Sequence, residues 1–151
     1  MTDDDLDEMT ALLSAPDPAR PDKRLRTRAD AEQWIDWNKR NYADLGHGLW
    51  VLETHDGQFV GDCGLTIQHI EGESLVEVGY HVHLALRGRG LATEAATAVR
   101  DTARTAAIPH LVAIIRPENL PSQRVAHKIG LTLERRVIRN GGPALVFGAE
   151  L

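Results

Sequence analysis

The chain has 151 residues, 42% of them hydrophobic and 26% charged, with a formal net charge of −5. This balance fits one globular domain with its own core, and the acidity argues against wholesale nucleic-acid binding while favouring a cationic partner. A single cysteine, Cys63, excludes an internal disulfide or a multi-cysteine metal site and fits a reducing cytoplasm. Met1-Thr2-Asp3-Asp4-Asp5 is acidic and does not read as a signal peptide, and no apolar run approaches membrane-spanning length.

In chain order, residues 3–14 read as a first helix, with acidic residues at its start and Leu6, Met9 and Leu13 at helical spacing. Pro16, Pro18 and Pro21 then open a basic loop carrying Arg20, Lys23, Arg24, Arg26 and Arg28. That loop reads either as solvated or as a lip over a ligand. A second helix is expected from Arg28 to Leu45, with Ala31, Trp34, Ile35, Asn38, Tyr42 and Leu45 on one face. Trp34 and Trp37 read as packing residues. Strands follow at Leu49–Glu53, Gln58–Gln68 and Ser74–Leu84, with turns at Asp56-Gly57 and Glu71-Gly72, so an antiparallel meander is expected. Gly61 and Gly64 predict a bulge or a close backbone approach. Cys63 reads as a small buried thiol. A helix over 90–107, a buried strand at Leu111–Ile115 and a helix within 117–130 come next, with Asn119 as its N-cap. Two strands, Thr132–Ile138 and Ala144–Phe147, close the chain around Asn140-Gly141-Gly142-Pro143. Residues 1–151 are expected to form a single domain.

The stretch Arg87-Gly88-Arg89-Gly90-Leu91-Ala92-Thr93-Glu94 runs from a strand through a glycine turn into a helix. The first amides of a helix lack partners and the dipole is positive there, so such a turn makes a phosphate seat. On the strand before it, residues 77, 79, 81 and 83 share one face by the period of two. This groups Glu77, His81 and His83, with Gly79 expected to leave space between them. Two histidines alone make a poor metal site, so no metal is expected.

Arg87-x-x-Gly90-x-Ala92, preceded by Glu77-Val78-Gly79-Tyr80 and followed by Asn119-x-x-Ser122-x-x-Val125-x-x-Lys128-x-Gly130, resembles the GNAT superfamily of acetyl-CoA-dependent N-acetyltransferases. The second cluster is similar to the branch that acetylates the N-terminal amines of ribosomal proteins. The resemblance covers about residues 27–151. It implies an α+β fold with a mixed, mostly antiparallel twisted sheet and helices on both faces, without the strand that usually precedes the first helix. Leu49–Glu53 would then be an apolar edge, left by a start further upstream, covered by a partner subunit as in a homodimer, or belonging to a shortened domain.

The resemblance also implies roles. Gly88, Arg89, Gly90, Leu91, Ala92 and Thr93 would hold the pyrophosphate of acetyl-CoA, with charge from Arg87 and Arg89. The strand end His81, Val82 and His83 would pair its backbone with the pantetheine arm. Asn119 would contact that arm or simply cap its helix, and Arg124 would reach the 3′-phosphate. Glu77 is the candidate base, with His81 as the alternative. Relatives often carry a tyrosine seven residues after the asparagine; Ala126 stands there, so Ser122 is the candidate acid or thiolate donor. The implied function is acetyl transfer from acetyl-CoA to a primary amine, on a protein N-terminus or a small molecule, in the cytoplasm. A non-catalytic acyl-CoA-binding module on the same fold is the alternative. RNA binding through Arg-Gly-Arg-Gly is disfavoured by the acidity and few aromatics.

Overall fold

The structure is a computed structural model that describes residues 1–18 and 24–151. Arg20 and Lys23 of the basic loop lie outside the described residues.

The chain runs α1 (Leu6–Ser14), α2 (Arg28–Leu45), β1 (Leu49–Glu53), β2 (Phe59–Ile70), β3 (Glu73–Val82), α3 (Leu91–Thr105), β4 (His110–Ile115), α4 (Leu120–Lys128), β5 (Thr132–Arg139) and β6 (Gly142–Glu150). Short 3-10 turns at Asp3–Asp5 and Leu84–Leu86 precede α1 and α3. Local chemistry sets several of these limits. Thr27 and Asp30 form a reciprocal capping box at the start of α2, and Gly46, at φ 73°, ends it. The β2–β3 and β5–β6 hairpins turn on Glu71-Gly72 and Asn140-Gly141, each with both residues at positive φ. That is the primed turn matching the twist of the paired strands.

The six strands form one sheet in the order β1-β2-β3-β4-β6-β5, antiparallel except for the β3–β4 pair. This is the mixed α+β architecture the motifs implied. One face packs Cys63, Leu65, Val78, Leu111, Ala113, Leu145 and Phe147 against Ala96, Val99 and Ala103 of α3 and Ala126 of α4. α1 and α2 join through Met9, Leu12, Leu13, Ala31 and Ile35, and Trp34 of α2 reaches Asp62 on the opposite face of β2. Cys63 is 1% exposed, and burial raises its thiol pKa to about 12, so it is inert packing.

The meander and both glycine expectations hold. The β1–β2 register shifts between Leu52 and Glu53, leaving Val60 unmatched beside Gly61, and backbone closes directly over Gly64. β1 is an outer strand, as expected, but α2 covers its start. The Leu49 N–H donates to Asn38 Oδ1 at 2.8 Å, and the Leu49 carbonyl accepts from the Tyr42 hydroxyl. Asn38, the polar break in the α2 stripe, is fully buried because its amide also donates to Trp34 O at 3.0 Å.

Candidate functional site

The strand pairings decide which groups face the opening between β3 and β4. His83 donates its backbone N–H to Val60 O at 2.8 Å, and the β2–β3 register runs unbroken from Ile70↔Glu73 to Gly61↔Val82. Antiparallel strands exchange hydrogen bonds at alternate positions. The backbones of residues 77, 79, 81 and 83 therefore bond to β2, while those of Val78, Tyr80 and Val82 turn toward β4. β4 meets them at one position only, Glu77↔Val112. Beyond it the parallel strands part, and Tyr80 and Val82 border the opening. This corrects the expectation for the strand end. His81 and His83 spend their backbones on β2, leaving only Val82 of that trio, whose carbonyl already accepts Arg87 Nε at 3.0 Å.

Glu77 sits where the strands part. Its Oε1 accepts the Ile114 backbone N–H at 3.2 Å, an amide that a continuing parallel sheet would have paired with β3 backbone. Thr66 Oγ1 lies 3.4 Å from Oε2, and an Arg139 guanidinium nitrogen lies 3.6 Å from Oε1. The side chain is 12% exposed, so Glu77 is not a surface carboxylate. Burial raises its pKa, with Arg139, the Ile114 amide, His81 and Thr66 pulling back the other way.

His81 is paired as well. Its Nδ1 lies 2.7 Å from Asp62 Oδ1, and the other carboxylate oxygen, Oδ2, accepts the Trp34 indole N–H at 3.0 Å. Asp62 is fully buried, and the Trp34 and His81 rings meet edge to face at 5.9 Å. The space expected over Gly79 is not open: a Cβ there would lie 3.2 Å from the Leu49 side chain, which is buried. His83 leaves the group altogether. β3 ends at Val82, and the His83 ring instead caps Ala85 N–H at 3.4 Å beside a cleft of about 250 Å³ lined with Glu8, Gln58 and Phe59. Sequence reasoning missed Asp62. The signal was present, because the two-residue turn at Glu71-Gly72 fixes a register that sets Asp62 opposite His81 and Thr66 opposite Glu77.

The glycine turn has the form expected of a phosphate seat. Gly88 and Gly90 sit at φ 75° and 82°, and a Cβ on either would meet nothing within 4 Å. Gly90 is the N-cap of α3 and offers no side chain, so the first amides of that helix are uncapped. These features fit a pyrophosphate, with Gly88 to Thr93 as its holders.

Arg87 does not join them. Its guanidinium forks onto buried Asp17, at 2.9 and 3.2 Å, while Nε holds Val82 O. It straps the loop before α2 to the end of β3, where charge-assisted contact to phosphate was expected. Arg87→Ala should therefore cost about 1–3 kcal/mol of stability by stripping the fork from a buried carboxylate. Its coenzyme A affinity should stay within about threefold of the parent, a change under roughly 1 kcal/mol. Thermal melts and calorimetric titration read the two effects separately. A tenfold weaker affinity with an unchanged melt would assign the guanidinium to phosphate instead.

Arg89 and Arg124 are exposed, and neither makes an ion pair among the described residues. Arg24, Arg26 and Arg28 are engaged, on Asp30 at 2.8 Å, over the Trp34 ring at 4.8 Å and on Asp7 at 2.6 Å.

Across the opening, Asn119 caps α4 by accepting the Ser122 N–H at 3.3 Å. The Ser122 carbonyl accepts the Tyr80 hydroxyl at 2.8 Å, tying β3 to α4. Burial raises the Tyr80 pKa further above its ordinary value, so it stays a phenol. Among the described residues no three His, Cys, Asp or Glu side chains gather as a metal site, and no helix is long and apolar enough to cross a membrane.

A mixed sheet parts between two parallel strands, in a chain whose glycine turn opens a helix with no side-chain cap. The family pattern described as "Acetyltransferase (GNAT) domain" matches residues 1–132, so the chain belongs to the GNAT acetyltransferase family. It is 33% identical over 138 residues to YkkB, an uncharacterised protein of Bacillus subtilis (strain 168), covering 90% of this chain and 80% of YkkB. Among solved structures it resembles an acetyltransferase from Agrobacterium tumefaciens (TM-score 0.81, 25% identity, 100% of this chain and 88% of that one). It also resembles the ribosomal-protein-alanine N-acetyltransferase from Brucella melitensis (0.73, 20%, 100% and 97%). A further likeness is to YncA from Salmonella typhimurium, solved with its cofactor acetyl-CoA (0.71, 22%, 98% and 89%).

Proposed function

We propose that this chain, as a single domain, transfers the acetyl group of acetyl-CoA to a primary amine by direct nucleophilic attack. The observation that carries the reading is the parting of β3 from β4 after Glu77↔Val112, with the uncapped start of α3 in the segment that follows β3. The opening offers backbone groups to an amide-rich arm, and the helix start offers amides to a pyrophosphate. Acetyl-CoA bound there would supply an activated thioester. The chain's own residues would hold it through Gly88 to Thr93 and the Tyr80–Val82 edge, with Arg89 and Arg124, exposed cations without an ion pair among the described residues, toward its phosphates. The Ser122 hydroxyl, in the first turn of α4, would donate to the departing sulfur.

The acceptor must reach the carbonyl as a neutral amine. An α-amine, with pKa about 7.7–8, is far more often neutral at pH 7 than a lysine at about 10.4. That favours a protein N-terminus, as in the reaction for which the Brucella neighbour is named, or a weakly basic small amine. The alternative, an acyl-CoA-binding module without chemistry, has no use for a buried carboxylate held against an imidazole. The Asp62–His81 pair therefore favours the enzyme. The test is release of free thiol from acetyl-CoA with a panel of short peptides, polyamines and aminoglycosides. At least one amine should raise release tenfold or more over hydrolysis. Tight acetyl-CoA binding with no amine-dependent release would leave the binding module as the function.

A further inference from the structure

The Trp34–Asp62–His81 chain sets a fully buried carboxylate between an indole and a partly exposed imidazole. A fully buried aspartate inside an apolar strand is costly unless it is paired and hydrogen-bonded. Here one oxygen accepts the indole N–H of Trp34 at 3.0 Å and the other meets His81 Nδ1 at 2.7 Å. With the carboxylate accepting on both oxygens, the proton between Asp62 and His81 sits on Nδ1. In neutral His81 this leaves Nε2 unprotonated. The imidazole is 38% exposed, so it can exchange protons with solvent while its partner stays dry. Trp34 also fixes the ring by its edge-on contact. Glu77 is arranged differently: its carboxylate is occupied by the Ile114 amide, Thr66 and Arg139 at the point where the strands part.

We propose that His81 is the catalytic base of the transfer, that Asp62 and Trp34 are the residues that position it, and that Glu77 is the wedge that holds β3 and β4 apart. The assignment rests on the acetyl-transfer reading above. The amine nitrogen forms a bond to the thioester carbonyl carbon, and the carbon–sulfur bond breaks with its electron pair on sulfur. The proton lost by nitrogen passes to His81 Nε2 and then to solvent, and the thiolate takes one proton from solvent, directly or through Ser122, whose hydroxyl regains a proton from water, so no net proton is consumed. The titratable or charged groups around the imidazole are Asp62 on β2, Glu77 on its own strand, Tyr42 on α2, which lies near enough to feel the Asp62 charge, and Arg26, stacked on Trp34.

Two measurements test the proposal on the full chain. The first needs no acceptor: nitrogen-correlated NMR of the histidine rings, with His81 assigned by its loss in His81→Gln. In wild-type protein the neutral form of the His81 ring should carry its proton on Nδ1. Asp62→Asn, and more weakly Trp34→Phe, should mix in the other tautomer. A wild-type ring protonated on Nε2 would overturn the proposal. The second is the pH dependence of kcat/KM with the best acceptor from the panel. His81→Gln should lower kcat by 100-fold or more and remove the ring's share of the acid limb, within the general range for a lost base. Asp62→Asn should lower kcat while the acid limb persists, because the imidazole remains and only its Nδ1 partner is changed. Glu77→Gln should keep the limb whatever it does to the rate. His81→Gln with more than a tenth of the parent kcat, or a limb lost in Glu77→Gln instead, would return the role of base to Glu77. Acetyl-CoA binding by every variant, followed by calorimetry, separates these outcomes from loss of the fold. Wild-type protein that binds acetyl-CoA yet acetylates no amine would sink the acetyl-transfer reading, and the base assignment with it, even if the ring carries its proton on Nδ1.

Discussion

Gly64→Ala should unfold this protein more than any other single methyl addition on β2's ordinary backbone. A Cβ at Gly64 would lie 1.9 Å from the Gly48 carbonyl oxygen and 2.8 Å from Leu49 Cα. Both are backbone atoms, so no rotamer change relieves the contact, and β1 would have to leave β2 locally. Gly64 is not at positive φ, so alanine would otherwise be neutral or slightly stabilising. The expected loss is about 3–5 kcal/mol, at the top of the range for single substitutions. For a chain of this size that lowers the melting temperature by about 10–15 °C. Gly57→Ala is the control, since its φ of 84° is unfavourable but nothing lies within 4 Å of the added carbon. It should cost only about 1–2 kcal/mol. Equal melts for the two variants would show that β1 is not seated as described. The same seating carries function, because Leu49 covers Gly79 between Glu77 and His81, and Asp62 lies two residues along β2 from Gly64.

The second large effect is expected at the donor seat. Gly90→Asp puts a carboxylate beside the uncapped amides of α3, where it satisfies them itself and repels a phosphate. Two lost charge-assisted hydrogen bonds, each worth about 1.5–3 kcal/mol, correspond to a coenzyme A affinity weaker by roughly 100-fold or more. The backbone cost of a side chain at φ 82° is shared by Gly90→Ala, which adds no charge. Calorimetric titration of both variants with coenzyme A isolates the electrostatic part. If Gly90→Asp, still folded, binds within threefold of Gly90→Ala, the pyrophosphate does not sit at this helix start.

The local signals in the chain were strong ones. Arg28–Leu45 as a helix and Leu49–Glu53 as a strand match the structure at both ends. Each boundary is marked by a residue whose side chain or backbone can do only a few things: a capping threonine, a left-handed glycine, a turn dipeptide. The glycine turn was legible for the same reason, since strand, turn and helix start are contiguous. Arg87 was misread because its partner, Asp17, is 70 residues away, and no local rule distinguishes a guanidinium facing solvent from one facing a buried carboxylate. His83 was misread because period-two alternation holds only while the strand lasts, and β3 ends one residue earlier.

By itself, then, the sequence determined the element order, the turns of the meander, the family and the glycine turn that would seat a phosphate. All of these follow from backbone preferences acting over a few residues. The tertiary structure alone decided where β3 parts from β4, which backbone groups border that opening, that Asn38 and Tyr42 close the start of β1, and that Trp34 holds Asp62 across 28 residues and Tyr80 reaches Ser122 across 42. These depend on packing between elements that share no local sequence, where a contact forms only after the rest of the chain has brought both partners to the same place.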